Sequence, residues 1–223
     1  SCTRLPSSHE IVKKYGIHDT SETGTPITYA RLSQAYDLLN NLTVDAKLST
    51  YDDNEHNLAL QHSAMFKAGD LVLYDRNYAS FWMFSLLMQK KVQFCARLKV
   101  GSWKVAKELA DSGNKEMITE IYSSKASAKK CKALGLSTTP IKLRFICIEL
   151  DTGEKEVLIT SLIDDHQYPY EILSDLYQLR WQVEESYKTM KSRLEIENFS
   201  GKSCLAIAQD FYVKIFSCIL SSI

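Results

Sequence analysis

Residues 70–76 read DLVLYDR. Four apolar residues in a row, closed off by an acid on each side, predict a short strand buried on both faces that emerges at Asp75. Upstream of it, NEHNLALQHSAMFK (54–67) has a 3.6-residue apolar rhythm and predicts a helix stopped by Gly69. ASFWMFSLLMQKK (about 79–91) predicts another helix, and VQFCARL (about 92–98) another strand. A buried strand between two helices, followed by a further strand, is an α/β pattern.

The rest of the chain fits around that unit. Residues 1–26 are loop-like, and 27–50 predict two strands joined by a tight turn at Asn40-Asn41. Residues 99–140 are more polar and weaker in pattern. KLRFICIEL (142–150) and EVLITSLID (156–164) predict a hairpin around Asp151–Glu154. One long helix is expected from about Tyr170 to Leu194, and a second begins near Lys202. The apolar stretch 204–223 contains Asp210 and Lys214 and reads as an amphipathic helix rather than a membrane span. There is no start Met, and the final helical pattern stops with its apolar face still running, which suggests a fragment of a longer protein. The order of elements is compatible with an RNase H-like fold, a mixed sheet flanked by helices.

Composition limits the function classes. The 223 residues carry 27 Lys+Arg and 27 Asp+Glu, so formal net charge is zero, which excludes a globally basic nucleic-acid coat but leaves room for a local basic surface. The six cysteines stand far apart with no Cys-x-x-Cys pair, so free thiols in a reducing compartment are expected and a zinc site is not. His56 and His62 read as ordinary residues rather than ligands.

Two regions offer chemistry. Asp75, at the end of its strand, lies where open α/β sheets place ligands; common turn chemistry of an Asp ahead of an Asn is the plainer alternative. In the long helix, with Tyr177 set at zero, Arg180, Glu184, Lys188 and Lys191 fall at about 300°, 340°, 20° and 320°, sharing a face roughly 80° wide. Leu176, Leu179, Val183, Met190 and Leu194 form a neighbouring apolar stripe. The plain reading is a solvated face with i,i+4 pairs Arg180–Glu184 and Glu184–Lys188. The functional reading is a lone carboxylate that holds a metal among cations that contact phosphate. From Ser123 to Arg144 there are six basic residues (Lys125, Lys129, Lys130, Lys132, Lys142, Arg144) and no acid: a DNA-facing strip or a lysine-rich soluble loop. Trp103 and Trp181 are expected in the core rather than stacked on a base.

The spacing Tyr177-x-x-Arg180-x-x-x-Glu184-x-x-x-x-x-x-Lys191 resembles the Tyr-Arg-Glu-Lys signature of bacterial DDE transposases of the insertion-sequence-four group. LVLYDRNYAS resembles that family's second-acid strand, and ARLSQAYDLLNN with the opening RLPSS…YG resembles its preceding segment. The resemblance covers most of the chain. It implies an RNase H-like catalytic core built from residues 1–98, a mainly β insertion over 99–165, and C-terminal helices 166–223 that complete the core. Asp75 and Glu184 would be the second and third acids of the triad, both of them catalytic and metal-ligating. Tyr177, Arg180 and Lys191 would contact phosphates, with Tyr177 alternatively supporting Arg180; Lys188 and the lysines 125, 129, 130 and 132 join them as DNA-binding candidates.

The implied activity is cleavage and strand transfer in cut-and-paste transposition of an insertion sequence, using two Mg²⁺ ions (Mn²⁺ as substitute). The partner is double-stranded DNA at element ends and target. The intact protein is expected as a homodimer in the bacterial cytoplasm, nucleoid-associated, with no membrane contact. The family's first acid sits in an Asp-Gly stretch that would fall just before Ser1; Asp19 lacks the preceding strand and is not assigned. The chain as given is therefore expected to lack one catalytic acid and to be inactive alone. Two alternatives share the fold: a non-catalytic DNA-binding remnant, and a nuclease that hydrolyses without strand transfer.

Overall fold

The computed structural model describes residues 1–150, 152–192 and 195–221. In chain order the elements are β1 (Cys2–Leu5), α1 (His9–Tyr15), β2 (Asp19–Thr20), β3 (Pro26–Asp37), β4 (Leu42–Thr50), α2 (Glu55–His62), β5 (Leu71–Tyr74), α3 (Phe81–Gln89) and β6 (Gln93–Leu98). They continue with α4 (Lys104–Ser112), β7 (Glu116–Ile121), α5 (Lys125–Ala133), β8 (Ile141–Glu149), β9 (Lys155–Thr160), α6 (Tyr170–Gln178), α7 (Trp181–Ser192) and α8 (Cys204–Ser221). The chain divides into two compact units, Ser1–Met65 with Trp181–Ile223, and Phe66–Arg180. Both are mixed α/β.

In the first unit β3 is the hub of an antiparallel sheet. It pairs with β1 and β2 and, over eight registered positions, with β4. The turn between β3 and β4 falls at Asn40-Asn41 as expected. Asn41 takes a positive φ of 54°, a conformation that Asn tolerates better than most residues. The Asp37 carboxylate accepts from the Leu39 and Asn40 amides and from Asn40 Nδ2, and these bonds hold its pKa below the usual carboxylate range. α1 starts because Ser8 caps it, and α2 because Asn54 does, the latter accepting from the His56 amide at 2.8 Å.

α7 and α8 cover this sheet. Leu32 and Ala46 from the strands, Met190 from α7, and Phe211 and Ile215 from α8 form one buried cluster with Ile196. Leu5, Ile11, Tyr15, Ala30 and Ile207 form another. Polar contacts fix α7: the Gln34 amide donates to the Tyr187 hydroxyl at 3.1 Å, and Gln34 Nε2 donates to Ser186 Oγ at 3.2 Å. α8 is long and apolar enough to cross a membrane by length and composition. Here it turns Ile207, Phe211 and Ile215 inward, while Lys214 donates to the Glu195 and Asn198 carbonyls and Asp210 accepts from Ser200.

The second unit holds the sheet β5-β6-β9-β8-β7. β5 and β6 are parallel; every other neighbouring pair is antiparallel. The parallel pair is possible because α3 crosses between the two strands. That helix is buried nearly all round, from Phe81 to Leu87, and Phe84 stacks on Phe94 of β6 with centroids 4.5 Å apart. Residues 99–165, expected as a mainly β insertion, contain the nine-residue helices α4 and α5 besides three strands. Those strands continue the β5–β6 sheet.

The main difference from expectation lies between residues 170 and 194. The long helix is two helices, α6 and α7, separated at Leu179-Arg180. The Leu179 and Arg180 amides donate three residues back, to Leu176 and Tyr177, instead of four. Such tightening ends a helix. The boundary between the two compact units falls at this same junction. Leu194, placed in the apolar stripe, and Asp151, in the expected hairpin turn, lie outside the described residues.

Candidate active site

Asp75 directly follows β5 and is half-buried. It opens a turn closed by the Tyr78 amide, which donates to the Asp75 carbonyl at 3.0 Å. Tyr74, just before it, is 8% exposed, and its ring stacks on Tyr78 at 5.2 Å and 22°. Tyr177, in the last turn of α6, donates its hydroxyl to the Tyr74 carbonyl at 3.3 Å. The Arg180 guanidinium carbon lies 5.7 Å from the centre of the Tyr177 ring, a cation–π arrangement.

The second unit thus brings together three of the expected site residues: Asp75, Tyr177 and Arg180. Their charges are felt locally. Burial raises the Tyr177 phenol far above its ordinary pKa; the Arg180 charge opposes this and the Asp75 charge adds to it. Arg97, on β6, acts on the same phenol and is paired to Glu156 at 2.7 Å. Neither Arg97 nor the Tyr74–Tyr78 stack stood out in the sequence.

Tyr177 is not on a solvated face as the continuous helix had suggested. It is 5% exposed and packs with Cys95, Ile146, Leu158, Leu162 and Leu173. With the helix interrupted after Gln178, the angular reading linking Tyr177 and Arg180 to Glu184, Lys188 and Lys191 does not hold across the break.

The other three residues belong to α7 in the first unit. Glu184 lies in the first turn of α7 and is half-buried. A carboxylate there is favoured by the positive end of the helix dipole. Lys188 takes Glu185 as its ion-pair partner at 2.6 Å, rather than Glu184, whose charge adds a weaker attraction. Lys191 donates to the Cys2 carbonyl of β1 at 2.9 Å and pairs with Glu197 at 3.2 Å. Trp181, expected in the core, is 54% exposed.

Part of the basic stretch forms one exposed face. Lys125, Lys129 and Lys132 share the exposed side of α5, at positions i, i+4 and i+7. Lys130 instead lies over the Trp82 ring, 5.3 Å from its centre. Arg144 is 1% exposed: its Nε donates to Glu116 at 2.9 Å, Nη2 also reaches Glu116, and Nη1 donates to the Tyr168 carbonyl at 2.6 Å. It is a buried cation paired with a partly exposed carboxylate and does not belong to a surface strip.

Among the described residues no group of three or more His, Cys, Asp or Glu forms a metal cluster. Asp75 and Glu184 are hard oxygen donors, the type that Mg²⁺ and Mn²⁺ accept. The six cysteines are free thiols; Cys95, Cys131 and Cys147 are buried, and burial pushes the Cys95 thiol up to about 12. His62, read as ordinary, is buried with both ring nitrogens engaged: Nδ1 with Asp45 at 2.8 Å and Nε2 with Ser33 at 2.9 Å.

The chain is similar to the piggyBac transposase of a cryo-EM synaptic complex with hairpin DNA, at a TM-score of 0.50 and 9% identity, over 92% of this chain and 44% of that one. The chain belongs to the transposase DDE domain family, whose model matches residues 4–220. It is 24% identical over 187 residues to transposase InsG of insertion sequence element IS4 from Escherichia coli K12, covering 82% of this chain and 41% of InsG. It is 23% identical over 175 residues to y4zB, a transposase by name, from Sinorhizobium fredii, covering 76% of this chain and 47% of that protein. The chain therefore spans less than half the length of these curated relatives.

Proposed function

We propose that this chain is the RNase H-like catalytic domain of a DNA transposase, and that Asp75 and Glu184 are two of the three carboxylates that hold divalent metal. The observation that carries the reading is the gathering of Asp75, Tyr177 and Arg180 at the end of β5, the three residue types that the family's signature and second-acid strand supply. The reaction class is phosphoryl transfer on DNA: cleavage at element ends and strand transfer to a target, as in cut-and-paste transposition.

Mg²⁺ or Mn²⁺, two ions in the complete site, would be held by these carboxylates and would supply activation of the nucleophile and charge neutralisation at the leaving oxygen. The chain's own residues do the rest. Asp75 and Glu184 offer carboxylate oxygens. Arg180, braced over the Tyr177 ring, presents a planar guanidinium suited to a phosphate. Lys191 is anchored at β1 and offers its remaining donor capacity near that strand. Lys125, Lys129 and Lys132 on α5, and Lys188 on α7, add cations that release counterions when DNA binds. A homodimer acting on paired ends in the bacterial cytoplasm remains the expected working form.

The test is an end-cleavage and strand-transfer assay on the full-length protein that carries this chain. Mg²⁺-dependent cleavage followed by joining of a pre-cleaved end supports the reading. Cleavage without joining would favour a nuclease, and DNA binding without either would favour a non-catalytic remnant.

A further inference from the structure

We infer that Tyr177 is a positioning residue that fixes the direction of the Asp75 carboxylate through the backbone, and not a contact to DNA. The inference rests on the reading of Asp75 as a metal ligand given above.

The direction of a side chain is set by the two peptide planes on either side of its Cα, because each plane is rigid. At Asp75 both planes are held. The plane before it carries the Tyr74 carbonyl, which accepts the Tyr177 hydroxyl at 3.3 Å. The plane after it carries the Asp75 carbonyl, which accepts the Tyr78 amide at 3.0 Å. The Tyr74–Tyr78 stack joins the two ends of the turn, and Tyr74 is registered against Ala96 of β6. Residue 75 has left the strand, so no ladder beyond Tyr74 holds it; the hydroxyl of Tyr177 acts where sheet order ends.

Burial argues against a direct role on DNA. Tyr177 is 5% exposed, its ring is packed in the core cluster beneath the sheet, and its hydroxyl already donates its single proton. A phenol in that state has nothing to offer a phosphate without leaving its cluster. A ligand held loosely at its backbone loses metal affinity, and removing such outer partners typically weakens metal binding or activity by about 10–100-fold.

The experiment compares Tyr177→Phe with the parent full-length protein, using MgCl₂ titration of end cleavage and, separately, DNA affinity measured in CaCl₂. Phe keeps the ring, the core packing and the platform under Arg180 and removes only the oxygen. The expected result is at least a tenfold rise in the Mg²⁺ concentration for half-maximal cleavage, recovery of rate as Mg²⁺ is raised, and DNA affinity within twofold of the parent. A loss of DNA affinity with unchanged Mg²⁺ dependence would overturn the inference, as would a variant indistinguishable from the parent. Asp75→Asn run alongside separates the two claims. If Asp75→Asn is inactive at every Mg²⁺ concentration while Tyr177→Phe titrates normally, the positioning role alone falls. If Asp75→Asn stays active, the ligand reading of Asp75 falls with it.

Discussion

The Tyr177 hydroxyl donates to the main-chain carbonyl of Tyr74, linking residues 103 positions apart in the chain at the point where β5 delivers Asp75. This contact ties the C-terminal end of a helix to the C-terminal end of a strand, where α/β folds place their chemistry. It also makes Tyr177 part of the scaffold beneath Asp75.

Tyr74 has a second consequence. Its own hydroxyl is buried and has no hydrogen-bond partner among the described residues. Leaving such a group unsatisfied costs about 1–3 kcal/mol of desolvation. Tyr74→Phe is therefore expected to stabilise the protein by about 1 kcal/mol, seen as a higher urea midpoint at unchanged slope. The carbonyl that Tyr177 uses is untouched.

Stability should depend on pH through His62. Burial is the largest influence and lowers its pKa below 6.5 in spite of Asp45, with the Lys47 charge acting in the same direction as burial. The unfolded chain then binds the proton first as pH falls. The stability associated with neutral His62 is fully present above 6.5 and is lost as pH drops through 6.5 toward the folded value. Urea unfolding at pH 7.5 and 5.5 should show the parent weaker at 5.5, and His62→Gln should flatten that difference.

Arg144 and Glu116 set a test of charge placement. Removing one member of a buried pair costs about 3–5 kcal/mol, and the carboxylate's 37% exposure reduces that here. Glu116→Ala should destabilise by about 1–3 kcal/mol, and adding Arg144→Met should recover most of it. Thermal unfolding of the single and double variants checks both.

DNA binding should respond to α5 and not to Arg144. Neutralising Lys125, Lys129 and Lys132 together should reduce the log–log salt slope of DNA affinity by about 2–3. Arg144→Met should leave the slope unchanged. Fluorescence anisotropy between low and moderate salt gives both slopes.

Much of this fold could be read from the chain. The apolar run 71–74, the Asn40-Asn41 turn and the apolar rhythm that opens at 54 are local signals, and each produced its element. The interruption at Leu179-Arg180 was not legible, because no proline or glycine marks it and the helix formers run straight through. That break in turn misplaced Tyr177: its position on the buried face of α6 follows from packing against β-strands far away in sequence. Arg144 was misread because its charge suggested solvent, while its place in the apolar run LRFIC put it on a central strand. The carboxylate that satisfies it, Glu116, lies on the adjacent strand, diagonal to it across the β7–β8 register. The signature spacing identified Glu184 as a candidate, and the second-acid strand LVLYDR identified Asp75, since both patterns record chemistry directly and neither depends on the helix being continuous.

Glu184 and Asp75 are proposed to serve divalent metal in cutting DNA. The most direct test is Mg²⁺-dependent end cleavage by Glu184→Gln in the full-length protein, with DNA affinity measured on the same preparation. Cleavage is expected to be abolished while affinity stays within a few fold. Retained cleavage at the parent's Mg²⁺ dependence would contradict that role.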